Sequence, residues 1–522
     1  MKKGGAGTAP PHHLVLLCKC YQTKNHRWCN MTITVPVEID NTEFRNFAEL
    51  EQGVYHAAMI FGRGLIQHVL ETRDLQLHSE RDATRYRNKG LRKTCIKTIM
   101  GEVEVNRRVY QDLEQQVSES EQFKSVYLLD EELGINKIGN ISEGVCQLLG
   151  KAICESSYRA TARQISEQTG QTISAQGAWN VVQALGEKQI SQTERNAELE
   201  AAHAGKGTVA TKILYEENDG IWLKLQGQSR AEEGTSKEMK VGIAYDGVRW
   251  TTYKSGTKRR NLDNKVAIAG FMPIEEYRAQ KEGLIASVFS TDEIELRVLN
   301  GDGGSWTLPK QNEGKICVLD EFHRNKKLKE CIKDSEFATL LRGLLYENKI
   351  DEVLECLEAQ INSLTDEEEI AKMKELQRYY SEHKEALKGY YDRGIDIPET
   401  RDPGTIHHAR LGSMESNVFT LIGNRMKGRR ACWSIRGGNH LAALLCAAHT
   451  TGLTRLFSPL PEIPVLEEKE EEWIDDGKPI SASKMPQSEG TGYEHQHNIS
   501  TTNYSEILRT IATFSPFSTL SL

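Results

Sequence analysis

An alternating stretch from Ile213 to Gln226 constrains the fold of this chain more than any other. Its apolar residues share one face at a spacing of two, which predicts a long β-strand: Tyr215, Ile221, Leu223 and Leu225. Asp219 has the parity of that apolar face, so a purely solvated carboxylate is not its obvious role. Gly220 beside it allows a ligand or a backbone to approach closely. The strand therefore presents Asp219 as a candidate functional acid.

A second acid follows another apolar strand, which begins at Ile294. Asp302 lies just past the end of that strand, in a glycine-rich turn. Carboxylates that converge from two strands of one sheet can hold a hard divalent cation. Three other acids compete for the place of Asp219, namely Glu216, Glu217 and Asp246. Asp246-Gly247 is predicted to be a hairpin turn, and the two glutamates lack an adjacent glycine.

Size and charge bound the classes of protein that this chain can belong to. A chain of 522 residues exceeds a single core and predicts about three units. The net charge of −8 argues only weakly against a nucleic-acid partner, because basic residues are unevenly distributed. No apolar run is long enough for a membrane span, so no membrane partner is expected. The eleven cysteines are scattered, as in a reduced, cytoplasmic protein.

The N-terminal third combines a helix with a basic hairpin. Residues 1–40 are predicted to be a loose extension, and residues 41–125 a helix followed by a hairpin with Gly101 in its turn. The hairpin contains the most basic block of the chain, from which four residues are predicted to contact DNA phosphates: Arg87, Lys89, Arg92 and Lys93. A solvated basic surface is the alternative interpretation.

Residues 126–190 predict a helix-turn-helix DNA-binding region. Apolar periodicity indicates helices over 141–153, 157–169 and 175–185, with Gly170 ending the second. Gln176 and Asn180 share a polar face of the third helix, where they are predicted to contact DNA. An ordinary packed helical pair would give the same pattern. Residues 187–208 are interpreted as a polar connector.

The strands then follow an order that resembles that of ribonuclease-H-like nucleases. Three antiparallel strands, a helix around 275–288, the Asp302 strand and a strand ending at Asp320 suggest a β-β-β-α-β-α-β-α succession. In such nucleases the first and fourth strands each supply an aspartate. The predicted fold class is therefore mixed α+β, with a helical DNA-binding N-terminal region and a ribonuclease-H-like α/β catalytic domain. That domain comprises 209–334 and 396–455, interrupted by a helical insertion, 335–395. Two helices are predicted in the insertion, the second with a capping box at Thr365-Asp-Glu-Glu368. Residues 456–522 are predicted to be a largely disordered tail.

A third acid follows the insertion. Ser413 is predicted to cap a helix, which places Glu415 in its first turn. Arg425 and Lys427 follow and are predicted to contact DNA. A carboxylate near a basic run suits a site that holds metal and DNA backbone together, whereas a capped surface helix is the alternative.

Several motifs in this order carry a resemblance to a known family. They are Tyr86-Arg-Asn-Lys-Gly-Leu-Arg-Lys-Thr94, Gly101-Glu-Val103, Asp219-Gly220, Gly301-Asp-Gly-Gly-Ser-Trp306, Leu319-Asp-Glu-Phe-His323, Gly412-Ser-Met-Glu-Ser-Asn417 and Asn424-Arg-Met-Lys427. Over about residues 45–455 the chain resembles bacterial insertion-sequence transposases of the ISLre type, which are allied to Mutator-like transposases. The resemblance implies a DDE transposase whose acidic triad is Asp219, Asp302 and Glu415.

The implied chemistry is metal-dependent cleavage and transfer of DNA strands. Two Mg²⁺ (or Mn²⁺) ions roughly 3.5–4 Å apart would serve the nucleophile and the leaving oxygen, with Asp219 bridging them. Asp302 and Glu415 would each complete one coordination sphere. Asp320 and His323 are accessory candidates, and His323 would contact the scissile phosphate or orient water unless it is an ordinary surface histidine.

The expected partners are the terminal inverted repeats, the target DNA and further copies of the chain in a synaptic complex. Two other functions remain open. One is a transposase-derived DNA-binding protein without catalysis. The other is a hydrolase that uses paired carboxylates without metal.

Overall fold

The computed structural model describes residues 45–116, 123–135, 140–309, 314–398, 411–428 and 430–453. The predicted extension, 1–40, and the predicted tail, 456–522, lie outside the described residues. Helix α1 spans Phe47–Glu80 and begins at the cap Asn46, whose side chain accepts from Glu49 N. It lies against an antiparallel sheet of three strands, β1 (Tyr86–Thr98), β2 (Gly101–Gln116) and β3 (Phe123–Val126). Gly101 has a φ of 106°, so the predicted hairpin turn is confirmed.

The predicted helix-turn-helix region contains helices close to the expected bounds, except at its end. The helices are α2 (Leu128–Leu133), α3 (Glu143–Glu155), α4 (Tyr158–Thr169) and α5 (Ala175–Ala201). The polar connector predicted from residue 187 is wrong up to Ala201, because the segment continues α5. Its Thr193 and Leu199 are buried. A Cβ at Gly283 would collide with the backbone of Ala197, so the bare glycine lets another helix pack closely there.

A five-stranded mixed sheet forms the centre of the described fold. In chain order the strands of this region are β4 (Ile213–Lys224), β5 (Ser236–Tyr245), β6 (Gly247–Thr252), β7 (Lys258–Asp263), β8 (Val266–Gly270), β9 (Leu296–Gly301) and β10 (Ile316–Leu319). The sheet order is β10-β9-β4-β5-β8. Strands β4, β5 and β8 are antiparallel, whereas β9 runs parallel to β4 and β10. The carboxyl ends of β4, β9 and β10 therefore meet at one edge of the sheet.

Strand β4 is covered on both faces over most of its length. Every residue from Ile213 to Asp219 is buried, and period-two exposure appears only near the end, where Trp222 is exposed between Ile221 and Leu223. Helix α6 (Gly227–Glu233) follows β4, and α7 (Ile274–Ala286) covers one face of the sheet. The alternation of buried and exposed side chains, predicted for the whole strand, is thus confined to its last few residues.

The interpretation of Asp246-Gly247 as a hairpin turn is wrong. Asp246 connects β5 to β6, which pairs with β7 as a separate two-stranded ribbon before the chain returns as β8. The segment is polar and shows no apolar alternation, so the sequence did not indicate these strands.

The region from β10 onwards contains three helices where two were predicted in the insertion. Helix α8 (Glu321–Cys331) precedes α9 (Ser335–Tyr346), α10 (Ile350–Ser363) and α11 (Glu367–Glu382). The cap of α11 is Asp366 rather than Thr365, since Asp366 accepts from Glu368 N at 3.0 Å. These helices share a hydrophobic cluster with Leu299 and Leu319 of the sheet. Between β9 and β10, residues 302–309 and 314–315 contain no helix, unlike the predicted succession.

The last helices carry the third acid. Helix α12 (Met414–Val418) continues through a π-helical turn (Phe419–Gly423) into α13 (Asn424–Met426), and α14 (Ile435–Ala448) follows. Ser413 stands at the predicted cap position, but its side chain makes no capping hydrogen bond. Within the described ranges, no helix has both the length and the apolar composition for crossing a membrane. The architecture is mixed α/β and consistent with the predicted α+β class.

Candidate metal centre

Three side chains from distant parts of the sequence meet at the carboxyl edge of the sheet. Asp219 lies on β4, His323 in the first turn of α8 and Glu415 in the first turn of α12. One ligand atom from each lies within 4.8 Å of the others. Asp219 is buried, His323 half-buried and Glu415 exposed, so the group opens towards solvent at Glu415. The two carboxylates suit Mg²⁺ or Mn²⁺, and an imidazole is a ligand for transition-metal ions.

Asp302 lies beside this group but is not one of its three members. It is the first residue after β9, and its Oδ1 accepts hydrogen bonds from Gly304 N (3.0 Å) and from the Thr307 hydroxyl. Its charge is close enough to raise the pKa of Asp219. Two members of the predicted triad, Asp219 and Glu415, therefore lie together, and Asp302 occupies a tight turn beside them.

The helical insertion holds that turn. Tyr379 of α11 donates its hydroxyl proton to Asp302 O at 2.7 Å. Nε2 of His383 lies 3.0 Å from Gly303 O. The insertion thus contacts the backbone that positions Asp302.

The Asp219 carboxyl is held in an environment that disfavours its charge. Burial raises its pKa to about 6, and the nearby charges of Asp302 and Glu415 act in the same direction. The charge of His323 and a hydrogen bond from Gly220 N at 2.7 Å oppose the rise. A bound cation would offset this penalty, so the electrostatics fit a metal ligand.

Asp320 orients His323. Its Oδ1 caps α8 by accepting from His323 N at 3.1 Å, and it also lies 3.1 Å from His323 Nδ1. The hydrogen bond to Asp320 raises the pKa of His323 despite its partial burial. Burial opposes ionisation of Asp320, but hydrogen bonds from His323 and Asn300 outweigh it and lower the pKa of Asp320. When Nδ1–H donates to Asp320, Nε2 is left as the nitrogen that can bind a metal or a phosphate.

Glu217 has a role that sequence reasoning missed. Considered above only as a rival for the first metal ligand, it is fully buried and accepts four hydrogen bonds. The donors are the Tyr245 hydroxyl (2.8 Å), Asn300 Nδ2 (2.9 Å), Gly412 N (3.0 Å) and Ser413 N (3.2 Å). Burial raises the pKa of Glu217, against the effect of those hydrogen bonds. Glu217 therefore accepts from the two backbone N–H groups that directly precede α12, those of Gly412 and Ser413.

The other two rivals lie away from the group. Glu216 faces the opposite side of the sheet, where it pairs with Lys281 (2.9 Å), Arg297 (2.7 Å) and Lys315 (3.3 Å). Asp246 accepts from Asn264 Nδ2 at 2.9 Å beside the ribbon. Both side chains have structural partners.

The residues predicted to contact DNA are divided between exposed and internal positions. Six of them are exposed on β1 and at the start of α5: Arg87, Lys89, Arg92, Lys93, Gln176 and Asn180. Lys93 pairs with Glu104 at 2.7 Å. Gln176 Nε2 donates to Asn180 Oδ1 at 3.0 Å. Their contacts with DNA remain predictions.

Arg425 and Lys427 differ from each other. Arg425 donates through Nε to Ile153 O at 2.8 Å, and its guanidinium lies over the rings of Tyr158 and Trp433. These contacts anchor α13 to α3 and argue against the DNA contact predicted for Arg425. Lys427 is exposed.

The fold and the site together define a mixed α/β protein with a candidate metal centre built from acids and a histidine at the carboxyl edge of its sheet. The chain belongs to the uncharacterised protein family UPF0236, whose family profile matches residues 40–457.

Three relatives in this family are 22–23% identical to the chain over the aligned regions. A UPF0236 protein of Caldanaerobacter subterraneus subsp. tengcongensis is 23% identical over 406 residues, which cover 76% of this chain and 79% of the relative. Another UPF0236 protein from that organism, named after eleven loci, is 22% identical over 405 residues. The match covers 76% of this chain and 79% of the relative. The UPF0236 protein in the vanSb 3' region of Streptococcus gallolyticus is 22% identical over 360 residues. The match covers 64% of this chain and 69% of the relative.

Proposed function

We propose that this protein is a DDE transposase, which binds the terminal repeats of an insertion sequence and catalyses metal-dependent DNA cleavage and strand transfer. The observation that carries the proposal is the convergence of Asp219, Glu415 and His323 at one edge of the sheet, with Asp302 beside them. A fold places acids from such distant parts of the sequence together at a cost in charge repulsion, which a bound cation would remove.

The strand arrangement supports a ribonuclease-H-like catalytic domain. Three antiparallel strands are followed by two that run parallel to the first, and the first strand occupies the middle of the sheet. Asp219 comes from the first strand and Asp302 follows the fourth, as the resemblance implies. The helix expected between the fourth and fifth strands is absent from the described residues there, and the later helices α8 to α11 pack at that end of the sheet.

The side chains present fit divalent cations. Asp219, Asp302 and Glu415 would hold two Mg²⁺ or Mn²⁺ ions through their oxygens, and Nε2 of His323 would bind an ion or the scissile phosphate. Such ions activate an attacking oxygen and stabilise a leaving oxygen when they are bound. Asp320 keeps the His323 ring oriented, and Glu217 keeps the start of α12 in place so that Glu415 faces Asp219.

The number of loci in the name of one relative supports a mobile genetic element. A protein named after eleven loci of one genome is what an element that copies or moves itself would leave behind. This observation concerns the relative, and it favours the same activity for this chain through the shared family.

The test is incubation of the full chain with duplex DNA that carries the sequences flanking its gene. We expect cleavage and joining with Mg²⁺ or Mn²⁺ and none with EDTA. Binding to those ends without cleavage under any metal would replace the proposal by a catalytically inactive DNA-binding protein. Cleavage that survives chelation would instead favour a metal-free hydrolase that uses paired carboxylates.

A further inference from the structure

The ribbon formed by β6 and β7 extends from the central sheet with most of its residues exposed. Its base is anchored by Val248, which is buried, and by Leu262, which packs against the main hydrophobic cluster. From Arg249 to Arg259 every residue is exposed. Trp250 and Tyr253 retain 49% and 48% of their surface in solvent. These large aromatic side chains on a polar ribbon pack neither into the hydrophobic core nor against the central sheet.

The ribbon is also strongly basic. Between Gly247 and Leu262 the sequence contains five cations and no acid, in a chain whose net charge is −8: Arg249, Lys254, Lys258, Arg259 and Arg260. Arg249 has an ionic partner in Asp263 at 3.5 Å. In the part of the chain that the structure describes, no ion pair involves Lys254, Lys258 or Arg259. Three cations without a local counter-charge form a surface that attracts a polyanion.

An open groove leads from the ribbon to the helix that carries Glu415. Its volume is about 790 Å³, and it is lined by Arg259, Arg260 and Lys265 on the ribbon side and by Ser416, Asn417 and Thr420 on the other. None of its described lining residues is acidic. Ser416 and Asn417 directly follow Glu415 along the chain, so the positively charged groove ends on the helix that carries this acid.

We propose that this ribbon is a docking arm for duplex DNA, which contacts the phosphate backbone through Lys254, Lys258 and Arg259. A strand of six residues spans about 20 Å, and a two-stranded ribbon fits the major groove of B-DNA. Trp250 and Tyr253 add contacts to sugars or base edges. The choice of duplex DNA over other polyanions rests on the proposed function, whereas the docking surface rests on charge and exposure alone.

The test is the salt dependence of DNA binding by the full chain, measured by fluorescence anisotropy with a labelled duplex in EDTA. The variant is Lys254→Gln/Lys258→Gln/Arg259→Gln. We expect its slope of log K against log salt concentration to fall in magnitude by about 2–3, since each lost phosphate contact removes about 0.9. Its affinity at low salt should fall at least about tenfold.

The control is Lys349→Gln/Lys372→Gln/Lys384→Gln, which makes the same change in net charge at three lysines of the helical insertion, each paired with an acid there. It should keep the parental slope. A ribbon variant that keeps that slope, or a control that loses as much, overturns the proposal. So does a parent that binds only RNA or single strands. Because EDTA excludes cleavage, failure of the transposase proposal would leave these binding curves unchanged. Conversely, if the protein cleaves DNA but the ribbon variant keeps the parental salt slope, only the docking arm is refuted.

Discussion

The carboxylate of Glu217 accepts a hydrogen bond from the backbone N–H of Ser413 at 3.2 Å, so a buried acid of β4 holds the start of the helix that carries Glu415. The same carboxylate is linked through Asn300 Nδ2 to Asp320, which orients His323. The two ends of the candidate metal centre are therefore connected by one buried hydrogen-bond network.

Glu217→Gln should damage the site without removing a ligand. The amide nitrogen of glutamine would face N–H donors, so we expect a loss of about 1–3 kcal/mol in the free energy of unfolding. The affinity for Mn²⁺ should fall about tenfold or more, because Glu415 loses its fixed position. Urea denaturation and calorimetric titration with Mn²⁺ measure the two effects.

Tyr245→Phe is the control for this prediction. It removes one hydrogen bond to the same carboxylate but leaves Gly412 and Ser413 bonded. It should lower stability while leaving the Mn²⁺ affinity close to that of the parent. Equal losses of affinity in both variants would show that Glu217 does not act through α12.

Asp320→Asn should weaken metal binding through His323. Asparagine remains a good helix cap, but its amide nitrogen would face the Asn300 Nδ2 donor, so we expect a loss of about 1–3 kcal/mol in the free energy of unfolding. The charge that raises the pKa of His323 and orients its ring is lost, and we expect Mn²⁺ affinity to fall by about 10- to 100-fold. If Asp320 acts through His323, adding Asp320→Asn to His323→Gln causes no further loss. Additive losses would contradict the coupling.

The sequence predicted the parts of the site that depend on local pattern. Asp219 follows from the parity of β4, Asp302 from its position after an apolar strand, and His323 from its place one turn beyond Asp320. Each of these depends only on strand ends and the helical turn that follows, which short-range periodicity encodes.

The missed features depend on contacts between distant residues. The partners of Glu217 at the start of α12 lie 195 and 196 positions away along the chain, so no local pattern marks these contacts. The extension of α5 past residue 187 depends on packing that buries Leu199. The β6–β7 ribbon is polar and exposed, so it lacks the apolar alternation by which strands are predicted.

Without metal, Asp219→Asn should stabilise the protein. The pKa of Asp219 is about 6 in the folded state and 3.8 in a free side chain, so the folded state binds the proton more tightly. The stabilisation that protonation provides is present below pH 4 and is lost as pH rises to 6. We therefore expect the variant to gain up to about 3 kcal/mol over the parent above pH 6, and little at pH 4.

Urea denaturation in EDTA across that range measures the difference between the two proteins. Mn²⁺ should raise the melting temperature of the parent and do so less in the variant, because a ligand that binds only the folded state stabilises it. A difference that does not vary with pH would contradict the buried, charge-crowded environment of Asp219.

Gln176→Ala with Asn180→Ala tests the helix-turn-helix region. Both side chains are exposed near the start of α5, where a recognition helix contacts base edges. We expect the double variant to lose discrimination between element ends and random duplex DNA while keeping its salt-dependent binding to both. Competition binding measures this ratio. If the double variant still discriminates between element ends and random DNA, α4 and α5 are a packed helical pair and not a DNA-reading motif.

Asp219→Asn, Asp302→Asn and Glu415→Gln test the proposed chemistry. Each keeps the shape of the side chain but removes the charge that holds a divalent cation, so we expect cleavage and strand transfer to fall to background. DNA binding and the cooperative unfolding transition should persist, because these three side chains do not hold the core together. Asp246→Asn is the control, since Asp246 accepts from Asn264 beside the ribbon and lies outside the group of ligands. An inactive Asp246→Asn together with an active Asp219→Asn would move the first metal ligand from β4 to the end of β5.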